Sequence, residues 1–145
     1  MTDQERAIYR LHSNETLKCV LQKGDIYYES EKRGVAPMLD FLSKNTDLVG
    51  FCAADRVVGK ATAYLFALAG VSAVYADVMS EGAQAVLRAY GIATSAEKIV
   101  PHIINRMGTG MCPMESAVQT ATGPEDAHRL ILETLKKLQK NERNP

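Results

Sequence analysis

Asp47-Leu48-Val49-Gly50-Phe51-Cys52-Ala53-Ala54 is apolar at nearly every position, and the segment after it, Asp55 to Gly70, is alanine-rich and closed by glycine. A short apolar run without alternation is the pattern of a strand buried on both faces. The segment behind it reads as a helix over Arg56–Ala69, with Asp55 as its N-cap and Gly70 as its stop. Gly59, Ala61 and Ala63 are small enough for that helix to lie close on a sheet. Val71–Val78 repeats the buried-strand pattern, Ser80-Glu81-Gly82 opens a helix reaching about Tyr90, and a further strand falls within Ile92–Val100. Strands alternating with helices predict a sheet covered on both faces.

Working outward, Thr2–His12 reads as a helix with Ala7, Ile8 and Leu11 on one side. Thr16–Gln22 and Ile26–Ser30 are strand-like around the turn Lys23-Gly24-Asp25, which predicts a hairpin. Pro37 opens a short helix carrying Met38, Leu39, Phe41 and Leu42. Beyond the last strand come a loop over Pro101–Met111, a helix opening at Cys112, and an amphipathic helix from Pro124 to about Asn141. A polar tail follows. The expected fold is therefore α/β, a three-layer α/β/α sandwich with a mixed central sheet, in one domain over residues 1–145.

Charge narrows the partners. Lys plus Arg and Asp plus Glu number 17 each, so no global basic field points to nucleic acid and no acidic excess points to disorder. The start, Met1-Thr2-Asp3-Gln4-Glu5-Arg6, is charged and leads into no long apolar stretch, so it reads as neither signal peptide nor membrane anchor. A cytoplasmic location is expected. Cys19, Cys52 and Cys112 cannot all pair within one chain and read as reduced thiols.

In open α/β sheets, ligands gather where strand ends meet helix starts. Two such junctions stand out, Ala54-Asp55 and Gly110-Met111-Cys112. A cysteine at a helix start, with a carboxylate three residues on, sits where the helix dipole favours a thiolate. Asp55, Cys112 and Glu115 are the candidate catalytic residues, as base, nucleophile or covalent anchor. Lys60, Asn105, Arg106, Gly108 and Gly110 are the candidate ligand-binding residues, since an amide or guanidinium beside glycine turns can hold a base edge or a phosphate. Each has a structural alternative: Cys112 as a small hydrophobe, Glu115 as a cap on its own first turn, Asp55 as a plain N-cap, Lys60 as a solvated lysine. Gly59-Lys60 is not a phosphate loop, because Ala54 and Ala61 stand where glycine and Ser or Thr are needed.

A hairpin, a strand running into a helix that carries half a site, and a later helix opening on Cys112-Pro113 together resemble the cytidine deaminase-like superfamily. The resemblance is to an uncharacterised branch of it, described as a domain of unknown function, and implies the three-layer fold. Deaminating members carry a His-or-Cys, Ala, Glu triplet and a Pro-Cys-x-x-Cys motif, three of whose residues hold zinc. Here the corresponding stretches read Cys52-Ala53-Ala54-Asp55 and Cys112-Pro113-Met114-Glu115. An Asp, Cys, Glu set is a poor substitute for zinc's preferred ligands, so no metal ligand and no cofactor is expected. The function expected is binding of a small nucleotide or nucleoside derivative at two converging helix N-termini. Two alternatives stay open: a metal-dependent nucleoside or base deaminase with substituted ligands, and a non-catalytic scaffold or regulatory homo-oligomer.

Overall fold

A computed structural model describes residues 1–105 and 107–143, and in it six helices surround one five-stranded sheet. Helix α1 (Asp3–Ser13) opens on a reciprocal cap: the Glu5 amide donates to Thr2 Oγ1 and the Thr2 amide to Glu5 Oε1, each at 3.1 Å. Strands β1 (Cys19–Lys23) and β2 (Ile26–Ser30) form the expected hairpin, turning at Gly24, whose φ of 57° suits glycine. Helix α2 (Ala36–Ser43) follows, then β3 (Cys52–Val58), α3 (Lys60–Ala69), β4 (Ala73–Ser80), α4 (Glu81–Ala89) and β5 (Ala93–Val100). The chain ends in α5 (Pro113–Ala117) and α6 (Pro124–Arg143).

The strand order is β2-β1-β3-β4-β5, antiparallel from β2 to β3 and parallel from β3 to β5. The mixed sheet is as the sequence implies. Among the described residues helix α1 alone covers one face, burying Ala7 and Leu11 against Val20, Ala54 and Tyr75. The larger core lies on the other face, where Leu21, Ala53, Val74 and Ala76 meet Ala63, Leu65 and Phe66 of α3 and Leu87 of α4. Helix α3 is buried at every position from Ala61 to Phe66, as its small residues allow.

The strand expected over Asp47–Ala54 instead begins at Cys52 and runs on to Val58. Residues 47–51 form a turn: Asp47 Oδ1 accepts the Val49 amide at 3.1 Å and Gly50 adopts a φ of 81°. Leu48 and Phe51 are buried there, whereas Val49 is exposed, so this apolar run is a packed turn. The strand then continues through Asp55 and Arg56 because Val57 and Val58 are β-branched and because both charges find places in the sheet. Asp55 pairs with Cys19 in the β1 register. It is therefore not an N-cap, and the helix expected from Arg56 starts at Lys60, with Gly59 as its cap. The first strand likewise begins later than expected, at Cys19. Helix α6 continues to Arg143, past the expected tail boundary. Among the described residues no helix is long and apolar enough to cross a membrane.

Arg56 locks α1 to the sheet. Its guanidinium donates to Leu17 O at 3.0 Å, Leu11 O at 2.8 Å and Asp77 Oδ2 at 3.2 Å. Asp77 also accepts Tyr75 Oη at 2.7 Å and contacts His12 Nε2 at 2.7 Å. Burial works to raise its pKa, but the bonds from Tyr75, His12 and Arg56 outweigh it and hold the carboxyl below its ordinary range. Arg56→Ala strands two carbonyls and removes a charge partner, and is expected to lower stability by about 2 kcal/mol. Urea unfolding would show this, with faster amide exchange concentrated in α1.

Candidate functional site

Strands β3 and β4 run parallel, so both deliver the chain to helix starts at the same edge of the sheet. At the first, Val58-Gly59-Lys60, the capping residue is glycine and offers no side-chain acceptor. A carboxylate from elsewhere supplies it: the Lys60 amide donates to Glu115 Oε2 at 2.9 Å. Glu115 thus caps α3, not its own first turn, and its negative charge sits at the positive end of that helix. The approach is close. A Cβ at Gly59 would overlap Glu115 Oε1 and stand 2.9 Å from its Cδ.

Glu115 is only 6% exposed, and its Oε1 is buried with no hydrogen-bond partner among the described residues. An ionisable oxygen left in that state is costly unless a ligand, water or ion completes it. A groove of about 360 Å³ lies against this carboxylate, walled by Val35, Val57, Ile103, Cys112 and Met114, with Arg33 at its rim. On the other side a pocket of about 210 Å³ is lined by Glu115 together with Lys60, Ser80 and His102.

Asp55 opens onto a neighbouring pocket of about 160 Å³, whose lining Arg33, Gly34 and Val57 also belong to the larger groove. The two spaces adjoin, sharing Arg33, Gly34 and Val57 between them. Asp55 is 3% exposed, and its Oδ2 has no hydrogen-bond partner among the described residues. Burial first, with the nearby Asp77 charge adding to it, outweighs the bonds from the Val57 and Arg56 amides and from Cys19, raising its pKa to about 7. Burial, and then the adjacent Asp55 carboxylate, also push the Cys19 thiol up.

The other expected site residues divide. Cys112 does line the groove, half-buried, at the N-cap of α5. That helix has five residues, however, so few aligned peptide dipoles stand behind the thiol. Lys60 is half-buried as the first residue of α3; its Nζ lies 6.0 Å from the Tyr64 ring centroid and its stem packs at Gly82. Asn105 is spent on shaping its own loop: Oδ1 accepts the Thr109 amide and Nδ2 donates to Thr109 Oγ1, each at 3.1 Å. Gly108 turns that loop at a φ of 68°, and the Asn105 amide donates to Gly110 O at 2.8 Å. None of these three lines the groove. Their work is indirect, since the loop holds Ile103 O to the Cys112 amide at 2.9 Å. Arg106 lies outside the described residues.

Zinc does not fit these residues. Cys52 stands at the opposite end of β3, where its Sγ lies 3.6 Å from Ser72 Oγ. Among the described residues no three His, Cys, Asp or Glu side chains come together as a ligand set. Arg33, Gly34 and Lys18 were not among the expected site residues, and Gly59 was expected only as a small packing residue inside the helix, whereas it stands at that helix's N-cap.

A family model described as "TM1506: Domain of unknown function (DUF1893)" matches residues 7–135. The chain is similar to a solved structure described as a DUF1893 family protein (TM1506) from Thermotoga maritima, with 26% identity and a TM-score of 0.80. That similarity covers 92% of this chain and 90% of the other. No curated protein matches.

Proposed function

The chain belongs to the DUF1893 family, and we propose that it binds a nucleoside- or nucleotide-like small molecule in the groove beside Glu115. The observation that carries this reading is the buried, unpartnered Oε1 of Glu115 against an apolar groove. An apolar wall suits the faces of a planar heterocycle, and a fixed acceptor at its end suits an N–H edge. The acceptor is pre-organised, because the same carboxylate is anchored through Oε2 to the Lys60 amide. The expectation of two helix N-termini holding an anion is thereby recast, since the start of α3 already has its negative charge and a phosphate would have to sit elsewhere.

We further propose that the fold is cytidine deaminase-like, a reading supported by the order of its elements and by the meeting of Gly59-Lys60 with Cys112–Glu115. In this reading the second motif's carboxylate occupies the position facing the first helix, and the site binds without the metal chemistry of a deaminase.

Thermal-shift measurements with free bases, nucleosides and nucleoside monophosphates test the proposal. Saturating ligand at about 100 times its Kd stabilises by about 2.7 kcal/mol, a clear rise in Tm. Glu115→Gln keeps an oxygen for the Lys60 amide and turns the unpartnered acceptor into a donor, so affinity is expected to fall at least about tenfold. A flat response of the native protein to every compound, or an unchanged affinity in E115Q, would sink the reading. In the first case a non-catalytic scaffold or homo-oligomer becomes the better account.

A further inference from the structure

The Asp55 compartment differs from the Glu115 groove in its charge. Its lining includes Lys18, Arg33 and Arg56. The Arg56 guanidinium is engaged by Leu11, Leu17 and Asp77, which leaves Arg33, together with Lys18, whose ammonium makes one exposed bond to Glu15 O at 3.4 Å, as the cations able to turn toward a ligand. Arg33 is exposed and lies at the boundary of both compartments. Between them sits a carboxyl that is 3% exposed, with an oxygen lacking a partner among the described residues. A ligand cation would be repelled by Lys18 and Arg33. A ligand oxyanion would be attracted by both, and a protonated carboxyl at its base would donate to it.

We infer that the Asp55 pocket is the anion subsite of the cleft, taking the phosphate or other oxyanion of a ligand whose apolar, N–H-bearing part lies beside Glu115. The inference rests on the proposed groove reading and adds to it the preferred ligand class, a monophosphorylated nucleoside or its analogue over the bare nucleoside. The geometry supports a division of labour: Glu115 accepts from the ligand, Asp55 donates to it, and Arg33 spans the two. Gly34 beside Arg33 has open space around it, with no atom within 4 Å of where a Cβ would stand, so the loop can admit a bulky polar group.

Calorimetric titration at pH 6, below the point at which Asp55 ionises, separates this inference from the proposal beneath it. The probes are a nucleoside, its monophosphate, and inorganic phosphate alone. The monophosphate is expected to bind at least about tenfold more tightly than the nucleoside, with the gap closing in Arg33→Ala and Lys18→Ala. Asp55→Asn, which keeps a donor, is expected to retain the gap, and Asp55→Leu, which has none, to lose it. Equal affinities for nucleoside and monophosphate would overturn the anion subsite while leaving the groove reading intact. Should neither nucleoside nor monophosphate bind, the groove reading fails and inorganic phosphate decides: binding abolished by R33A upholds the subsite, and no binding overturns it. The arginine and lysine variants change side chains at the surface, so the test does not depend on Asp55→Leu folding.

Discussion

Gly59→Ala is expected to destabilise the protein by about 3 kcal/mol and to abolish the ligand binding proposed for the groove, although it adds one methyl group. Backbone strain is not the cause, because Gly59 has φ −97° and ψ 177°, which alanine adopts freely. Loss of glycine's flexibility in the unfolded chain would by itself stabilise by about 0.4–1 kcal/mol. The penalty comes from contact. The new Cβ overlaps Glu115 Oε1 and approaches Ile103 Cγ1 to 3.1 Å, so the buried carboxylate must leave the start of α3. Losing a helix cap costs about 0.5–2 kcal/mol and overpacking typically about 1–3 kcal/mol.

A double-mutant cycle checks this origin. Glu115→Ala alone loses the cap and is expected to cost about 2 kcal/mol. Adding Gly59→Ala to it should then cost almost nothing, because the atom that the methyl strikes has gone. The coupling energy expected from urea unfolding is about 2–3 kcal/mol. Additive effects would mean that Gly59 and Glu115 do not meet as described.

The architecture was legible where composition and turn chemistry agree. Lys23-Gly24-Asp25 predicted its hairpin, and Ser80 was readable as an N-cap, its Oγ accepting the Ala83 amide at 3.1 Å. The site was legible only in part. Local sequence pointed to Asp55 as a cap because Asp is among the favoured N-caps, and the β-branched Val57 and Val58 are only a weak local sign that the strand runs four residues past Ala54. The continuation is a tertiary effect: β1 and β4 both supply pairing partners for Asp55, and the carbonyls at the end of α1 receive Arg56. Glu115 was expected as a catalytic candidate, with a structural alternative. Its spacing from Cys112 suggested a cap on α5, whereas its acceptor role is exercised on a helix 55 residues earlier in the chain. Arg33 was invisible because it stands in a loop between a strand and a helix, with no motif around it, and reaches the cleft only through the chain's path over the sheet.

Asp55→Asn is expected to produce the largest pH-dependent change in the protein. The carboxyl has an ordinary pKa of 3.8 and is raised to about 7 in the folded chain, chiefly by burial. Below about pH 4 both folded and unfolded chains hold the proton, and Asp55 exacts no ionisation penalty. Between pH 4 and 7 the unfolded chain releases the proton while the folded chain retains it, so unfolding becomes more favourable as pH rises. The stability associated with the neutral carboxyl is therefore complete below the unfolded pKa and is lost by the time pH passes about 7. At about 1.36 kcal/mol per pH unit, the full loss is about 4 kcal/mol. Asparagine, nearly the same shape and never charged, removes this dependence. The variant should match the native protein near pH 4 and exceed its stability by about 4 kcal/mol at pH 8, as read from paired denaturant titrations. Because both chains share every other titrating group, the difference between them isolates Asp55. A difference that stays constant from pH 4 to 8 would show the carboxyl ionising at its ordinary pKa, and with it would go the neutral donor on which the anion subsite depends. An oxyanion bound beside the neutral carboxyl should in turn hold its proton to higher pH, so that adding phosphate shifts the native protein's titration upward and leaves the asparagine variant unmoved.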